Sequence, residues 1–289
     1  MNSVKVAVLM VALVIIFMWV GYAAGGRGGM IVAFAVATLL NFGSYWYSDK
    51  IILKMYRARP ISEVDHPRLY RVVNRVATQA VMPVPKVYII RSKAPNAFAT
   101  GRNADHAAVA ATEGLLQILS EEELEGVMGH EVAHILNRDM LIGTITATFA
   151  GAIGLLAYIV RWGAFFGGYG YGRDAHRGGG IGQLLAALVA PLAAVIIQAA
   201  ISRQREYKAD AQGGSLTGKY LALASALDKI HKAPTRFAIE QHPSTAHLMI
   251  ANPLSRRSFS SLFSTHPPVE KRIARLEKLS QQSIYSGYA

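Results

Sequence analysis

Four uncharged apolar stretches, 6–24, 30–48, 140–160 and 181–201, constrain this chain more than any other feature. About 20 apolar residues span a bilayer as a helix, and the backbone polar groups of such a stretch must pair within it. The rest of the composition agrees. Hydrophobic residues make up 52% of the 289, and charged residues only 17%, below the roughly 25% of ordinary soluble domains. Mean hydropathy is +0.26. The expected fold is mainly α and integral to a membrane, with four apolar helices and a polar α+β portion carrying a small sheet. Four regions follow: 1–48 as two N-terminal spans, 49–139 as the first polar part, 140–201 as two further spans, and 202–289 as the second polar part.

The first stretch is longer than the ~7–15 apolar residues of a cleaved signal, and a second begins just past a turn at 25–29, so both read as retained spans. Tyr45, Trp46 and Tyr47 form an aromatic belt, and Asp49, Lys50, Lys54, Arg57 and Arg59 follow as a mainly basic cluster. Positive flanks mark the cytoplasmic side. With an even number of crossings, both termini and both polar parts are expected there. The net charge of +12 is accounted for by cations flanking apolar stretches. No basic stripe interleaved with aromatics is present, which argues against nucleic acid as a partner.

In the first polar part, 67–80 has helical periodicity. The stretches 86–90, 96–100 and 107–111 read as strands, with turn chemistry at 101–105 and a short helix at 113–119. In the second, 216–231 reads as an amphipathic helix, 233–264 as loop-rich, and 269–279 as a charged helix with proline at its start. The Gly-rich 161–180 lacks the strand–loop–helix context of a phosphate cradle. There is no cysteine, which excludes disulfides, thiolate ligands and cysteine nucleophiles. Any metal is held by His, Asp or Glu.

The chemistry concentrates in 120–139, read as one amphipathic helix. Ser120 and Glu123 form a capping-box pair, and Glu121, Glu122 and Glu123 occupy the first turn, where carboxylates suit the positive end of the helix dipole. At its centre is His130-Glu131-Val132-Ala133-His134. His130 and His134 fall on one face and can grip a single ion, whereas Glu131, rotated by about 100°, is placed to hold an attacking water. This is the spacing of a helix-borne zinc site in metalloproteases. Two histidines leave the site incomplete. The missing ligand must lie on the same side of the membrane, and two apolar stretches return the chain there at Ser202. Glu206 and Asp210 follow at i and i+4 on one face: Glu206 as third ligand, Asp210 as acceptor of a ligand imidazole's N–H. If the flanking helices run on into the membrane, His134 and Glu206 lie within about 10 Å of the ends of their spans. The substrates would then be membrane proteins or segments close to the bilayer. The remaining histidines have no ligand-like context.

The ordered set of two N-terminal spans, His130–His134, two further apolar stretches, Glu206 with Asp210, and Thr265-His266-Pro267-Pro268 resembles the HtpX family of bacterial membrane-bound zinc metalloproteases, related to the CAAX prenyl proteases. The resemblance covers nearly the whole chain. It implies one Zn2+ per chain held by His130, His134 and Glu206, with Glu131 as general base. It also implies that His266 stabilises the transition state and that Asn96, Ala97 and Phe98 form an edge strand that binds substrate. The polar parts together would make a cytoplasmic zincin-like protease domain in the inner membrane, acting on misfolded or unfolded membrane polypeptides in quality control and the stress response. The Gly-rich 165–180 departs from that pattern. Two other readings stay open: a narrow processing protease of the prenyl-protein type, and a non-catalytic scaffold with a metal site.

Overall fold

Gly25 and Gly26 break the N-terminal helix α1 (Asn2–Trp46), which is two helices meeting at a kink where Gly26 takes φ 60°. The structure, a computed structural model, describes residues 2–143, 145, 203–233, 250 and 267–286. The chain divides into two compact units, one containing Ser3–Tyr45 and the other Trp46–Thr144.

In the first unit the two arms of α1 run antiparallel. Asn41 Nδ2 donates to the Met10 carbonyl at 3.0 Å, and Leu13, Phe17 and Ala37 are buried. Among the described residues one helix is long and apolar enough to cross a membrane, Gly25–Trp46 with 22 residues. The expected span at 6–24 lies in the first arm of α1, which runs from Asn2 to the kink at Gly25 and contains the apolar helix Val6–Tyr22. The expected spans at 140–160 and 181–201 lie almost wholly outside the described residues.

The second unit opens with α2 (Ser48–Met55), a helix where the sequence shows a basic cluster. A four-stranded sheet follows, β1 (Arg59–Pro60), β2 (Lys86–Ile90), β3 (Ala97–Gly101) and β4 (Ala107–Thr112), in the order β1-β2-β4-β3. β2 and β4 are parallel, and the other two pairings are antiparallel. Helices α3 (Pro67–Gln79), α4 (Glu113–Ile118), α5 (Glu121–Asn137), α6 (Arg203–Thr217), α7 (Tyr220–Lys232) and α8 (Val269–Ser286) complete it. β3 and β4 are buried on both faces and β1 is exposed, and the alternation of β2, β3 and β4 sorts the side chains. Val87, Ile89, Ala97, Ala99, Val109 and Ala111 join α3, α5, α7 and Leu276 of α8 in the main core. Phe98, Ala108, Ala110 and Ile90 pack on Ile52, Leu53 and Tyr56 of α2.

Three expectations change at this level. The helix at 120–139 is not amphipathic: from Glu123 to Ile135 every residue except His134 is buried, because the sheet and α3, α6 and α7 surround it. Nor does it run straight on. Arg138, at φ 56° and ψ 32°, ends it, and helical turns resume at 139–143. The helix read at 216–231 begins only at Tyr220, since Gly218 at φ 67° separates it from α6, to which Leu216 and Thr217 belong.

Candidate metal centre

The start of α5 is fixed before any chemistry is considered. Ser120 Oγ accepts from the Glu123 N–H and Glu123 Oε2 accepts from the Ser120 N–H, the reciprocal capping box. Glu123 also accepts from Ser225 Oγ and Lys229 Nζ of α7. Burial works to raise its carboxyl pKa, but Lys229 and the hydrogen bonds from Ser120 and Ser225 outweigh it and hold the group below the usual range.

One glycine pair sets the separation of α5 and α6. A Cβ on Gly213 would lie 2.5 Å from the His130 backbone nitrogen and 2.7 Å from the Gly129 carbonyl carbon. One on Gly129 would lie 2.8 Å from the Gly213 oxygen. On α6, Glu206, Asp210, Gly213 and Thr217 recur at i, i+4, i+7 and i+11 and all are buried, so one stripe carries both the acids and the glycine that brings them close. Asn137 seals the seam, donating to Gln212 Oε1 and accepting from Lys208 Nζ, each at 2.7 Å. Gly213→Ala changes no ligand residue yet forces the helices apart. Zinc affinity measured by chelator competition is expected to fall about ten- to a hundredfold, the range seen when groups supporting the ligands are lost. Unchanged affinity would refute the spacer role.

Across this seam His130 Nε2 and His134 Nε2 lie 3.1 Å apart. Glu206 Oε2 is 3.7 Å from the first and Oε1 is 3.5 Å from the second. A tetrahedral zinc with ligand bonds of about 2.0–2.1 Å has ligand–ligand edges of about 3.3–3.4 Å, so this trio has the dimensions of such a site. Its chemistry fits as well. His130 Nδ1 is 2.9 Å from Asp210 Oδ1, and His134 Nδ1 is 3.1 Å from Asp139 Oδ2. With the Nδ1 atoms as donors, both Nε2 lone pairs and a carboxylate converge on one point, which calls for a cation. Burial works to lower the pKa of His134, but the hydrogen bond to Asp139 and the charges of Glu206, Glu131 and Asp139 outweigh it and raise it to about 9. His134 is also the more open imidazole, its side chain 15% exposed against 1% for His130.

Two contributors went unread in the sequence. Asp139 reaches His134 only because Arg138 turns the chain back. Arg272 of α8, 2% exposed, grips Asp210 with two parallel bonds, Nε to Oδ2 at 2.8 Å and Nη2 to Oδ1 at 2.6 Å. Its Nη1 donates to the Ile250 carbonyl at 3.0 Å and lies 3.7 Å from Glu206 Oε2. Burial works against the charge of each partner, but the pairing prevails: Asp210 is held down at about 2 and the Arg272 guanidinium is pushed above its ordinary value. A signal for Arg272 was available, since it takes a place in the inward stripe with Val269, Ile273 and Leu276.

Glu131 is 3% exposed, and its Oε2 accepts from the Ala99 backbone N–H at 2.8 Å. β3 is the edge of the sheet. Asn96 turns its carbonyl to Thr112 beside β4, so by the strand's period of two Ala97 and Ala99 turn theirs to the open edge. Of the three residues expected to bind substrate, only Ala97 presents backbone there. The Phe98 ring is buried on the far face against Tyr56, the ring centroids 5.3 Å apart. Asn96 Oδ1 accepts from the Ile250 N–H. His266 lies outside the described residues.

A buried trio of two imidazoles and a carboxylate, braced by carboxylates on the outer nitrogens and set beside a buried glutamate and a strand edge, is the arrangement of a zinc metallopeptidase. The chain belongs to peptidase family M48, whose model matches residues 63–280. It is 51% identical over 282 residues to a protease HtpX homolog of Desulfatibacillum aliphaticivorans, covering 98% of this chain and 91% of that one. It is 50% identical over 280 residues to one of Pyrococcus furiosus, covering 96% of each. The crystal structure of Ste24p from S. mikatae has a similar fold, with TM-score 0.54 and 20% identity. The likeness covers 93% of this chain, which spans 62% of that protein's length. The chain is thus a membrane-bound zinc endopeptidase acting on polypeptides, and zinc is its cofactor.

Proposed function

We propose that the chain cleaves misfolded or damaged membrane proteins at the cytoplasmic face of the inner membrane, as a multi-pass protein. The stretches 49–139 and 202–289 together form its protease domain, and 1–48 and 140–201 form its membrane parts. The observation that carries the catalytic reading is the convergence of His130, His134 and Glu206 within 4.8 Å, with Glu131 held 2.8 Å from the edge-strand N–H.

In this reading His130, His134 and Glu206 hold the ion, and Asp210 and Asp139 fix the imidazole tautomers and raise their basicity. Zinc, when bound, polarises a carbonyl and makes a water acidic enough to attack near neutral pH. Glu131 is the general base. With Oε2 engaged by Ala99, Oε1 takes the water's proton and returns it to the leaving amine. The outward backbone of Ala97 pairs with an extended substrate, so binding rests on main-chain bonds and sequence preference is loose. His266 donates to the developing oxyanion, a contribution typically worth about 3 kcal/mol.

The test uses the purified full chain in detergent with three substrates: an unfolded membrane protein, casein and a prenylated peptide. Cleavage of the membrane protein, stopped by a chelator and restored by zinc, is the expected result. Preference for the prenylated peptide would make the chain a processing protease instead, and cleavage of none would leave a scaffold.

A further inference from the structure

The outward face of α2 is unusual for a helix of a soluble domain. Its inner face, Ile52, Leu53 and Tyr56, is buried. The residues turned away from that core, Tyr47, Lys50, Ile51 and Lys54, follow the i, i+3/i+4 spacing of a single face and are all exposed. Arg57 and Arg59 follow, also exposed. Between 46 and 59 these cations meet only one acid, Asp49. Large apolar and aromatic groups lie among them: Trp46 is 43% exposed, Tyr47 50% and Ile51 44%.

The cations are arranged around the rings. Lys50 Nζ sits 5.4 Å from the Tyr47 ring centroid. The Arg102 guanidinium comes from the turn after β3, 56 residues away, and lies 4.5 Å over the Trp46 ring, its Nη1 3.4 Å from the Trp46 carbonyl. A merely solvated basic segment needs neither an exposed Ile and Trp nor an arginine recruited from another loop. A face that dips into a headgroup layer needs both. Rings and aliphatic stems sit at the acyl boundary there, and cations reach up to phosphates. The chain position is right as well, since α2 starts two residues after the apolar helix Gly25–Trp46.

We propose that the outer face of α2, with Arg57, Arg59 and Arg102, docks anionic phospholipid headgroups. The inference rests on the chain's being a membrane protein and is independent of its catalysis. It also bears on the site, because Arg102 directly follows Gly101 at the end of β3, the strand whose Ala99 N–H holds Glu131. A headgroup seated on Arg102 would steady that strand.

The test follows Trp46 in the full chain carrying Trp19→Phe and Trp162→Phe, which leaves it as the sole tryptophan. The protein is reconstituted in phosphatidylcholine vesicles in which one lipid in five is dibrominated, as phosphatidylglycerol in one arm and phosphatidylcholine in the other. Each cation near an anionic surface is worth about fivefold in local lipid concentration. Trp46 should therefore be quenched several-fold more strongly by the brominated phosphatidylglycerol, and the difference should shrink with salt. It should vanish in Lys50→Gln/Lys54→Gln/Arg57→Gln/Arg59→Gln/Arg102→Gln and weaken in Arg102→Gln alone, with zinc content confirming that each variant is folded. Equal quenching in the two arms, or a preference that survives charge removal, overturns the proposal.

Discussion

Glu131→Gln is expected to lower peptide hydrolysis by about a thousandfold or more with zinc content unchanged. The substitution is nearly isosteric. Its amide oxygen can still accept from the Ala99 N–H, the 2.8 Å bond that anchors the native carboxylate, so β3 and α5 should keep their places. Glu131 is not among the three converging donors, so ion affinity does not depend on its charge directly. What is lost is the proton acceptor, and general-base catalysis typically contributes 10²–10⁴ in rate. The loss falls on kcat, because an amide cannot take the proton, whereas the proposed pairing of substrate with the Ala97 edge would be untouched. Turnover of a quenched membrane-protein substrate and metal analysis on the same sample check the two halves separately. A variant with full zinc and more than a tenth of wild-type turnover would remove Glu131 as the base.

How far the sequence disclosed this site follows from where each group gets its position. His130, Glu131 and His134 are legible because one helical turn places them. Glu206 and Asp210 are legible because they share a turn and because two apolar stretches return the chain to the same side. Both inferences use local geometry and counting. Asp139 depends on a single left-handed residue, Arg138, and nothing in the local sequence announces that turn. Arg272 sits in a helix whose composition reads as solvated, and only its place in the stripe between Val269 and Leu276 sets it apart. Three of the four strands were readable but not their order: β1, only two residues long, was not read, and the parallel pairing of β2 with β4 depends on the crossover through β3. The glycines at 129 and 213 look like weaknesses in two helices. They become necessary only when those helices touch.

Glu206→Ala is expected to lose zinc and proteolysis together. The carboxylate supplies the single negative charge among the three donors, its oxygens 3.7 and 3.5 Å from the two Nε2 atoms. Removing it leaves two imidazoles and, nearby, a buried arginine whose Nη1 stood 3.7 Å from the lost oxygen. That cation stays paired through its two bonds to Asp210 and its bond to the Ile250 carbonyl. The variant therefore avoids the 3–5 kcal/mol typically lost when a buried charge is stranded, and the fold should persist. The electrostatics of the site nonetheless weaken: without Glu206, the Arg272 charge is answered by Asp210 and the more distant Glu131, and an incoming dication meets no formal anion in its own shell. Loss of groups that only support ligands costs ten- to a hundredfold in affinity, so loss of a charged ligand should exceed about a hundredfold. Competition with a fluorescent zinc chelator measures this, and a circular-dichroism melt in excess chelator separates it from unfolding by comparing wild type and variant without metal. Glu206→Gln, which keeps an oxygen but not the charge, should fall between the two. Wild-type zinc affinity in either variant would mean that the third ligand lies elsewhere.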